Sequence, residues 1–419
     1  MSKNKSYLLP IAMMFFLFFI ISFVTGLQNP MGGILKEQFT LSNFESQLAN
    51  MAVFLAYLFM GIPAGKMIEK LGYKKSALIS LVIGFSGVLI LFLAGKIESF
   101  NFYLFGAFVS GFSMCILNAV VNPMLSILGD EKGANSRLNF GGALNSLGGT
   151  LAPILGGVVV GNILSPKISD ANPLLFMAMG IFALVFLVLY SVQIPEPEIS
   201  VAEKGNEKNS PLSFTHFKMG LIAIFLYVGV EVSISNTTLN YLINDLKFDK
   251  GVAGSIVGSY WLLMLVGRLL GGVLGKKFSS KQMLVTVSSV ALLFVVSSIL
   301  MGTGTSAYMP AFSGETLSFS MTQVPLSILL LVLCGLCLSV MWPGIFNLAT
   351  SGLGKYTAQG SGFFMTMVFG GGIIPLVQAY AVDVTGSFPS SYWIVVLSLV
   401  YILYFAVSGC KNINKDIPV

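Results

Sequence analysis

Twelve apolar runs follow one another along the chain, and each has the roughly 18 or more residues that a helix needs to cross a membrane. The runs lie near residues 8–30, 45–66, 75–95, 101–128, 137–162, 172–193, 219–243, 251–274, 282–302, 325–351, 358–380 and 391–410. In lipid every backbone N–H and C=O must be hydrogen-bonded inside the protein, and an α-helix satisfies its own groups. We therefore predict an all-α membrane protein with twelve transmembrane helices.

The composition agrees with this class and excludes others. Only 10% of the residues are charged, whereas soluble globular proteins have about 25%. The first run follows Lys3 and Lys5 and resembles a signal peptide, but no small-residue cleavage site follows it, so we interpret it as the first transmembrane helix. The net charge of +6 is spread over loops, and we expect no nucleic-acid partner.

The longest polar segment divides the chain into two six-helix halves. Residues 194–218 contain Pro195, Pro197 and Pro211 and form the predicted linker between the halves, 1–193 and 219–419. Of the 23 Lys and Arg residues, 17 lie on the side of the termini and five on the opposite side, which predicts cytoplasmic termini. The composition also favours a bacterial inner membrane. The single histidine, His216, lies in the linker, where we expect it to be solvated.

The two halves repeat each other weakly. GIPAGKMIEKLGYKKS (61–76) follows the second span, and GRLLGGVLGKKFSSKQ (267–282) covers the end of the eighth span and the turn after it. Both begin with two glycines four residues apart and continue into a basic turn. Small residues at this spacing let helices approach closely. Parallel six-helix repeats with a binding site at their interface are typical of secondary transporters.

The fifth span contains three glycine pairs, at 141–142, 148–149 and 156–157. Because a helix has about 3.6 residues per turn, pairs that recur every seven or eight residues lie on one face. This face serves either tight packing alone or an interface along which the two halves rock.

The polar side chains expected at membrane depth are mostly amides and hydroxyls, with aromatic residues nearby. Amides offer donors and acceptors that match sugar hydroxyl groups, and an aromatic face suits the apolar face of a pyranose ring. For each single Asn, a hydrogen bond between helices is the alternative explanation. The predicted substrate-binding residues are Gln28, Asn29, Asn118, Asn122, Asn145, Asn236, Trp342 and Asn347.

Three charged residues require separate explanations. Glu231 lies in the middle of an apolar run, where a charged carboxylate costs about 2.5–3.5 kcal/mol on insertion scales. It either couples transport, or contacts the ligand directly, or stays protonated and hydrogen-bonds a neighbouring helix. Arg268, near the end of the eighth span, is either a gating residue or extends to the interface. Glu69, after the second span, is predicted to organise the cytoplasmic gate.

Seven stretches together resemble the fucose–galactose–glucose:cation symporter family of the major facilitator superfamily, and particularly its glucose/galactose branch. They occur in family order over nearly the whole chain: LKEQFTLSNFESQLAN (35–50), GIPAGKMIEKLGYKK (61–75), NAVVNPMLSILG (118–129), SRLNFGGALNSLGG (136–149), YVGVEVSISN (227–236), VGRLLGG (266–272) and WPGIFNLA (342–349). The resemblance implies import of a monosaccharide by alternating access. It also implies that Asn145 contacts sugar, that Trp342 matches an aromatic position of the family in the tenth span, and that Glu231 belongs to a motif of the glucose/galactose branch.

The chain departs from the fucose/proton members of that family at two positions. Those members have carboxylates where this sequence has Asn29 and Asn118. Glu231 is then the one deep carboxylate, and the amide carbonyls of Asn29 and Asn118 suit a hard cation. A sodium site at Asn29, Asn118 and Glu231 is therefore slightly favoured over proton coupling.

We expect a cation-coupled importer of a hexose such as glucose, galactose or fucose. The alternatives are an uncoupled sugar uniporter and an exporter of amphipathic compounds. A membrane sensor of sugar is disfavoured, because the sequence shows no signalling domain. We expect no enzymatic activity, because no catalytic constellation is present. The expected partners are a sugar and the lipid bilayer, with no cofactor beyond Na⁺ or H⁺ and with the chain acting as a monomer.

Overall fold

Long helices occupy the apolar runs in the computed structural model, which describes residues 7–128, 134–160, 163, 165–195, 210–275, 277–313, 318–412 and 414. In chain order they are α1 (Leu8–Gly26), α2 (Gln28–Gln38), α3 (Asn43–Leu71), α4 (Tyr73–Ile97), α5 (Phe100–Ile127), α6 (Ala134–Val160), α7 (Asn172–Ser191), α8 (Thr215–Asn244), α9 (Lys250–Leu274), α10 (Ser280–Met301), α11 (Leu326–Leu338), α12 (Met341–Thr350), α13 (Thr357–Met367), α14 (Gly370–Thr385), α15 (Phe388–Ser391) and α16 (Trp393–Tyr404).

The predicted number of spans is confirmed for the described chain. Eleven segments are long and apolar enough to cross a membrane, and the pair α11–α12, bent by 40°, makes the twelfth. The break in that pair lies at Ser339 and Val340, four and three residues before Pro343. A proline has no N–H to donate and clashes with the carbonyl four residues earlier, so it breaks the helix there. Pro30 follows the break between α1 and α2 in the same way.

A β-hairpin lies between α10 and α11, and the sequence analysis did not predict it. Its strands β1 (Ser306–Ser313) and β2 (Ser318–Pro325) pair antiparallel, with Met309 opposite Thr322. Met309, Ala311 and Val324 are buried, whereas Tyr308 and Met321 are exposed. We call this end of the helix bundle the hairpin end. The opposite end, where α1 and α8 begin and α16 ends, is the linker end.

The predicted linker, 194–218, is described only at its two ends. Its central part, 196–209, lies outside the described residues, and α8 already begins at Thr215. His216 is therefore in the first turn of α8 and is buried, so the prediction of a solvated loop histidine was wrong. Its Nε2 lies 2.9 Å from the carbonyl oxygen of Ser351, and its ring packs against Phe214.

The two glycines of each pair in α6 contact different neighbouring helices. A Cβ on the first glycine of each pair would meet α1 or α2 of the same half, at Phe18, at the Phe19 backbone and at Pro30. A Cβ on the second would meet α9 of the other half, at Arg268, Trp261 and Gly251. The three first glycines are Gly141, Gly148 and Gly156, and the three second ones are Gly142, Gly149 and Gly157. Helix α6 thus packs closely against both halves along its whole length.

A second interface between the halves joins α3 to α14. A Cβ on Gly371 would meet the Phe54 ring, and one on Gly372 would meet Met51. The side-chain amide of Asn50 donates to the Gly371 carbonyl oxygen at 2.9 Å. These two close contacts, α6–α9 and α3–α14, hold the halves together around the membrane core.

A leucine at Gly254 tests whether the α6–α9 contact limits the fold. A Cβ there would collide with the Pro153 carbonyl of α6, a rigid backbone group, and overpacking of this kind costs about 1–3 kcal/mol. We expect Gly254→Leu to lower the thermal unfolding temperature of the purified protein in nanodiscs and to reduce transport. Gly180→Leu is the control, since nothing lies within 4 Å of a Cβ on Gly180. Equal unfolding temperatures for the two variants would contradict this packing account.

Candidate functional site

The Arg268 side chain crosses from one half of the protein to the other. Its Nη1 donates to the Gly142 carbonyl oxygen of α6 and lies 3.4 Å from Oδ1 of Asn145. Its Nη2 lies 3.7 Å from Oε1 of Glu231 on α8. The exposed fractions of the two charged side chains are only 16% for Arg268 and 12% for Glu231. Arg268 therefore points into the protein between the halves rather than toward the membrane surface.

Glu231 lies among aromatic side chains of the second half. Tyr227 is one turn earlier on α8, and its hydroxyl is buried without a hydrogen-bond partner in the described chain. The Tyr260 hydroxyl donates to the backbone carbonyl of Glu231 at 3.0 Å. The Trp342 ring of α12 meets the Tyr227 ring edge-on, with 6.3 Å between centroids. We call Asn145, Tyr227, Glu231, Arg268 and Trp342 the central cluster.

Helical spacing explains how these side chains come together. Arg268 and Trp261 are seven residues apart on α9, and their contacts on α6, Gly142 and Gly149, are also seven residues apart. A seven-residue spacing is about two helical turns, so both pairs lie on facing sides of antiparallel helices. The sequence alone did not indicate Trp261, Tyr227 or Tyr260. The spacings of seven and four residues from the two charged residues were the available signal for Trp261 and Tyr227.

Asn118 and Asn122 lie on α5 of the first half. The Asn118 amide donates to the Tyr57 hydroxyl at 3.0 Å and to the Met114 carbonyl at 3.1 Å. The Asn122 amide donates to the Asn118 carbonyl at 2.9 Å. Both asparagines are half-buried. Tyr57 is a further polar neighbour that the sequence analysis did not name.

Three predicted residues lie nearer the hairpin end. Oε1 of Gln28 lies 3.5 Å from the Tyr103 hydroxyl within the first half. Asn236 donates to Oε1 of Gln47 at 3.1 Å, from the second half to the first. Asn29 lines a narrow crevice between α2, α6, α8 and α9.

Two predicted residues lie at the linker end, away from the central cluster. Asn347 is exposed, and its amide is 3.5 Å from the Ser280 hydroxyl at the start of α10. Glu69 is exposed in the last turn of α3. Sequence alone placed Asn347 with the substrate residues because it lies in an apolar run, but it lies near the end of α12, beside the start of α10. The substrate and gating roles of these residues remain predictions.

The residues predicted to bind sodium have three different surroundings. Asn29 faces the crevice at the hairpin end, Asn118 bonds to Tyr57, and Glu231 faces Arg268. None of the described contacts joins two of them. The structure therefore adds no support to a sodium site made of these three residues.

The central cluster suits an uncharged, hydroxyl-rich ligand. The charges of its carboxylate and its guanidinium cancel, and its other three groups are an amide, a phenol and an indole. The 3.7 Å separation of the ion pair is longer than the roughly 2.7–2.9 Å of a direct charge-assisted hydrogen bond, which leaves both groups able to bond a ligand hydroxyl. In the described chain, Ser146 Oγ, Ser233 Oγ and Trp261 Nε1 are also buried without a hydrogen-bond partner.

Two pseudo-symmetric bundles of six spans, with polar residues at their interface, define a secondary transporter. The family model of the Major Facilitator Superfamily matches residues 14–376. The "Glucose/galactose transporter" of Brucella abortus biovar 1 (strain 9-941) is 28% identical and aligns over 98% of this chain and 96% of its own. The "L-fucose-proton symporter" of Escherichia coli (strain K12) is 25% identical over 96% and 94% of the two chains.

A solved structure of the same fold is the major facilitator transporter FucP in its outward conformation. It matches this chain with a TM-score of 0.71 and 23% identity, covering 96% of this chain and 99% of its own. The chain belongs to the major facilitator superfamily, and within it to the family that contains these glucose/galactose and fucose transporters. This membership confirms the predicted fold and the prediction of a transporter rather than an enzyme.

The ion pair in the central cluster predicts the order of the unfolding temperatures of its two single variants and the double variant. Removing one partner leaves the other charge buried and unpaired, which costs about 3–5 kcal/mol in a fully buried pair. We expect Glu231→Gln and Arg268→Gln each to lower the thermal unfolding temperature. The double variant should unfold at a higher temperature than either single variant, because no charge is left unpaired. Additive losses in the double variant would show that the two residues do not stabilise each other.

Proposed function

We propose that this chain imports a neutral hexose such as glucose, galactose or fucose across a bacterial inner membrane by alternating access. The family and its named relatives support transport of a sugar. The linker end, with both termini, then faces the cytoplasm, as the distribution of Lys and Arg predicts.

The observation that carries the proposal is the contact of Arg268 with both halves. Through Arg268, the amide of Asn145 on α6 is linked to Glu231 on α8. A sugar that hydrogen-bonds to both Asn145 and Glu231 would compete with Arg268 for these two groups. Its binding is thereby coupled to the interface that has to open and close, which is how differential contacts shift a conformational equilibrium.

Of the two cations that the sequence leaves open, we propose the proton. Glu231 faces a positive charge, and gaining a proton would remove its attraction to Arg268. A relative is named a fucose–proton symporter. Sodium, which the sequence favoured slightly, would need ligands that the described contacts do not bring together. It remains the second outcome of the test.

Uptake into proteoliposomes tests the proposal. Wild-type protein is supplied with radiolabelled glucose, galactose or fucose under an imposed proton gradient, and separately under a sodium gradient. We expect accumulation above equilibrium with the proton gradient alone. Glu231→Gln should reduce accumulation to the equilibrium level while it still exchanges internal sugar for external sugar, because the site remains but the titratable group is gone.

Glu98→Gln is the matched control for this experiment. Glu98 also pairs with a cation, Lys167 at 2.8 Å, but both side chains are 56% exposed, and we expect unchanged accumulation. Accumulation driven only by sodium would overturn the choice of cation. Equilibration without accumulation under either gradient would indicate a uniporter, and absence of hexose uptake would overturn the proposal as a whole.

A further inference from the structure

A carboxylate of the second half caps a helix of the first half at the hairpin end. Asp383 lies in the last turn of α14. Its Oδ1 accepts hydrogen bonds from the backbone N–H and the side-chain amide of Asn43, at 3.0 and 2.7 Å, and its Oδ2 accepts from the backbone N–H of Phe44 at 2.7 Å. Asn43 and Phe44 are the first two residues of α3.

These bonds satisfy groups that the helix cannot satisfy alone. The first N–H groups of an α-helix have no partner within it, and the aligned peptide dipoles favour a negative charge at this end. The start of α3 has its own cap, because Ser42 accepts from the Glu45 N–H in a capping box. Asp383 supplies the acceptors for the two N–H groups that this internal cap leaves.

Three further contacts lie at this end, one within the first half and two between the halves. Lys36 Nζ donates to Oδ1 of Asn43 at 2.6 Å, which turns the Asn43 amide toward Asp383. The Phe44 ring meets the Tyr380 ring of α14 edge-on, at 6.0 Å. Lys250 of α9 pairs with Glu37 of α2 at 3.0 Å, and both residues line the crevice.

We propose that Asp383 is a gating residue that holds the hairpin end closed by capping α3 from the opposite half. When the halves separate at this end, the carboxylate leaves the helix terminus and the crevice lined by Asn29, Gly33 and Asn240 opens. The cap is thus a contact of one conformational state. This inference rests on alternating access and not on the identity of the sugar or the cation.

A cysteine in the crevice reports the opening directly. Gly33 lines the crevice, and nothing lies within 4 Å of a Cβ at this position, so Gly33→Cys fits without displacement. The purified protein in nanodiscs, with Cys410→Ser to remove the one free cysteine that is not buried, is labelled with a maleimide. In nanodiscs both ends are accessible, so the result does not depend on the orientation in the membrane.

We expect Asp383→Asn to raise the labelling rate of Gly33→Cys at least threefold, because the charge that favours the capped state is lost. Asp383→Glu should restore much of the slow rate. Asn43→Ala, which removes one of the three bonds, should give an intermediate rate, and it decides the question if Asp383→Asn does not fold. An unchanged labelling rate in Asp383→Asn would overturn the proposal. If Asp383→Asn does not fold, an unchanged rate in Asn43→Ala would overturn it instead.

Two control variants separate gating from fraying of a helix end. Ser42→Ala removes the internal cap of α3 but no bond between the halves. Asp249→Asn removes the charge of a comparable cap at the same end, where Asp249 accepts from Gly251 and Val252 of its own half at 2.8 and 3.1 Å. Both should leave labelling within twofold of the parent. A rise in either control equal to that of Asp383→Asn would also overturn the proposal. Hexose uptake by the wild type is measured separately, so failure of the gate and failure of the sugar proposal remain distinguishable.

Discussion

Two opposite charges in the membrane core stabilise each other, and the arrangement of the site follows from this pairing. Glu231 and Arg268 lie on neighbouring helices with little exposure, where an isolated charge is costly. Their pairing makes a charged group tolerable at this depth. Because Arg268 also reaches the Gly142 carbonyl on α6, the pair links the chemistry of the site to the contact between the halves.

Close approach of the backbones makes that link possible. Gly142 and Gly149 leave space on α6 into which Arg268 and Trp261 fit. In lipid, helices associate through packing and hydrogen bonds rather than through a hydrophobic driving force between them. An interface built from glycine and a few polar contacts can therefore change its arrangement without exposing a large apolar surface to water. The polar contacts of the hairpin end, at Asp383, Glu37 and Gln47, then favour one arrangement over another.

The spans were predictable, because the cost of an unsatisfied backbone group in lipid leaves little choice of structure. The close approach of α6 was predictable from its glycines, but its two partners were not: adjacent glycines differ by about 100° around the helix and face different neighbours. Asn347 shows the limit of reasoning from an apolar run alone, since it lies near the end of α12 and beside Ser280 at the linker end. The hairpin strands carry polar residues between two apolar runs, and their pairing is a long-range property that no local period revealed. His216 was misjudged because burial at the start of α8 depends on Phe214 and the loop at Ser351.

The most direct test of the account is a structure of the wild-type protein with a hexose bound. The account predicts sugar hydroxyl groups within hydrogen-bond distance of both the Asn145 amide and the Glu231 carboxyl group, with the sugar ring against Trp342. The distance between Arg268 and Glu231 should differ from the 3.7 Å seen here. A sugar bound elsewhere, with the contacts of Arg268 unchanged, would contradict the claim that this ion pair connects binding to movement of the halves.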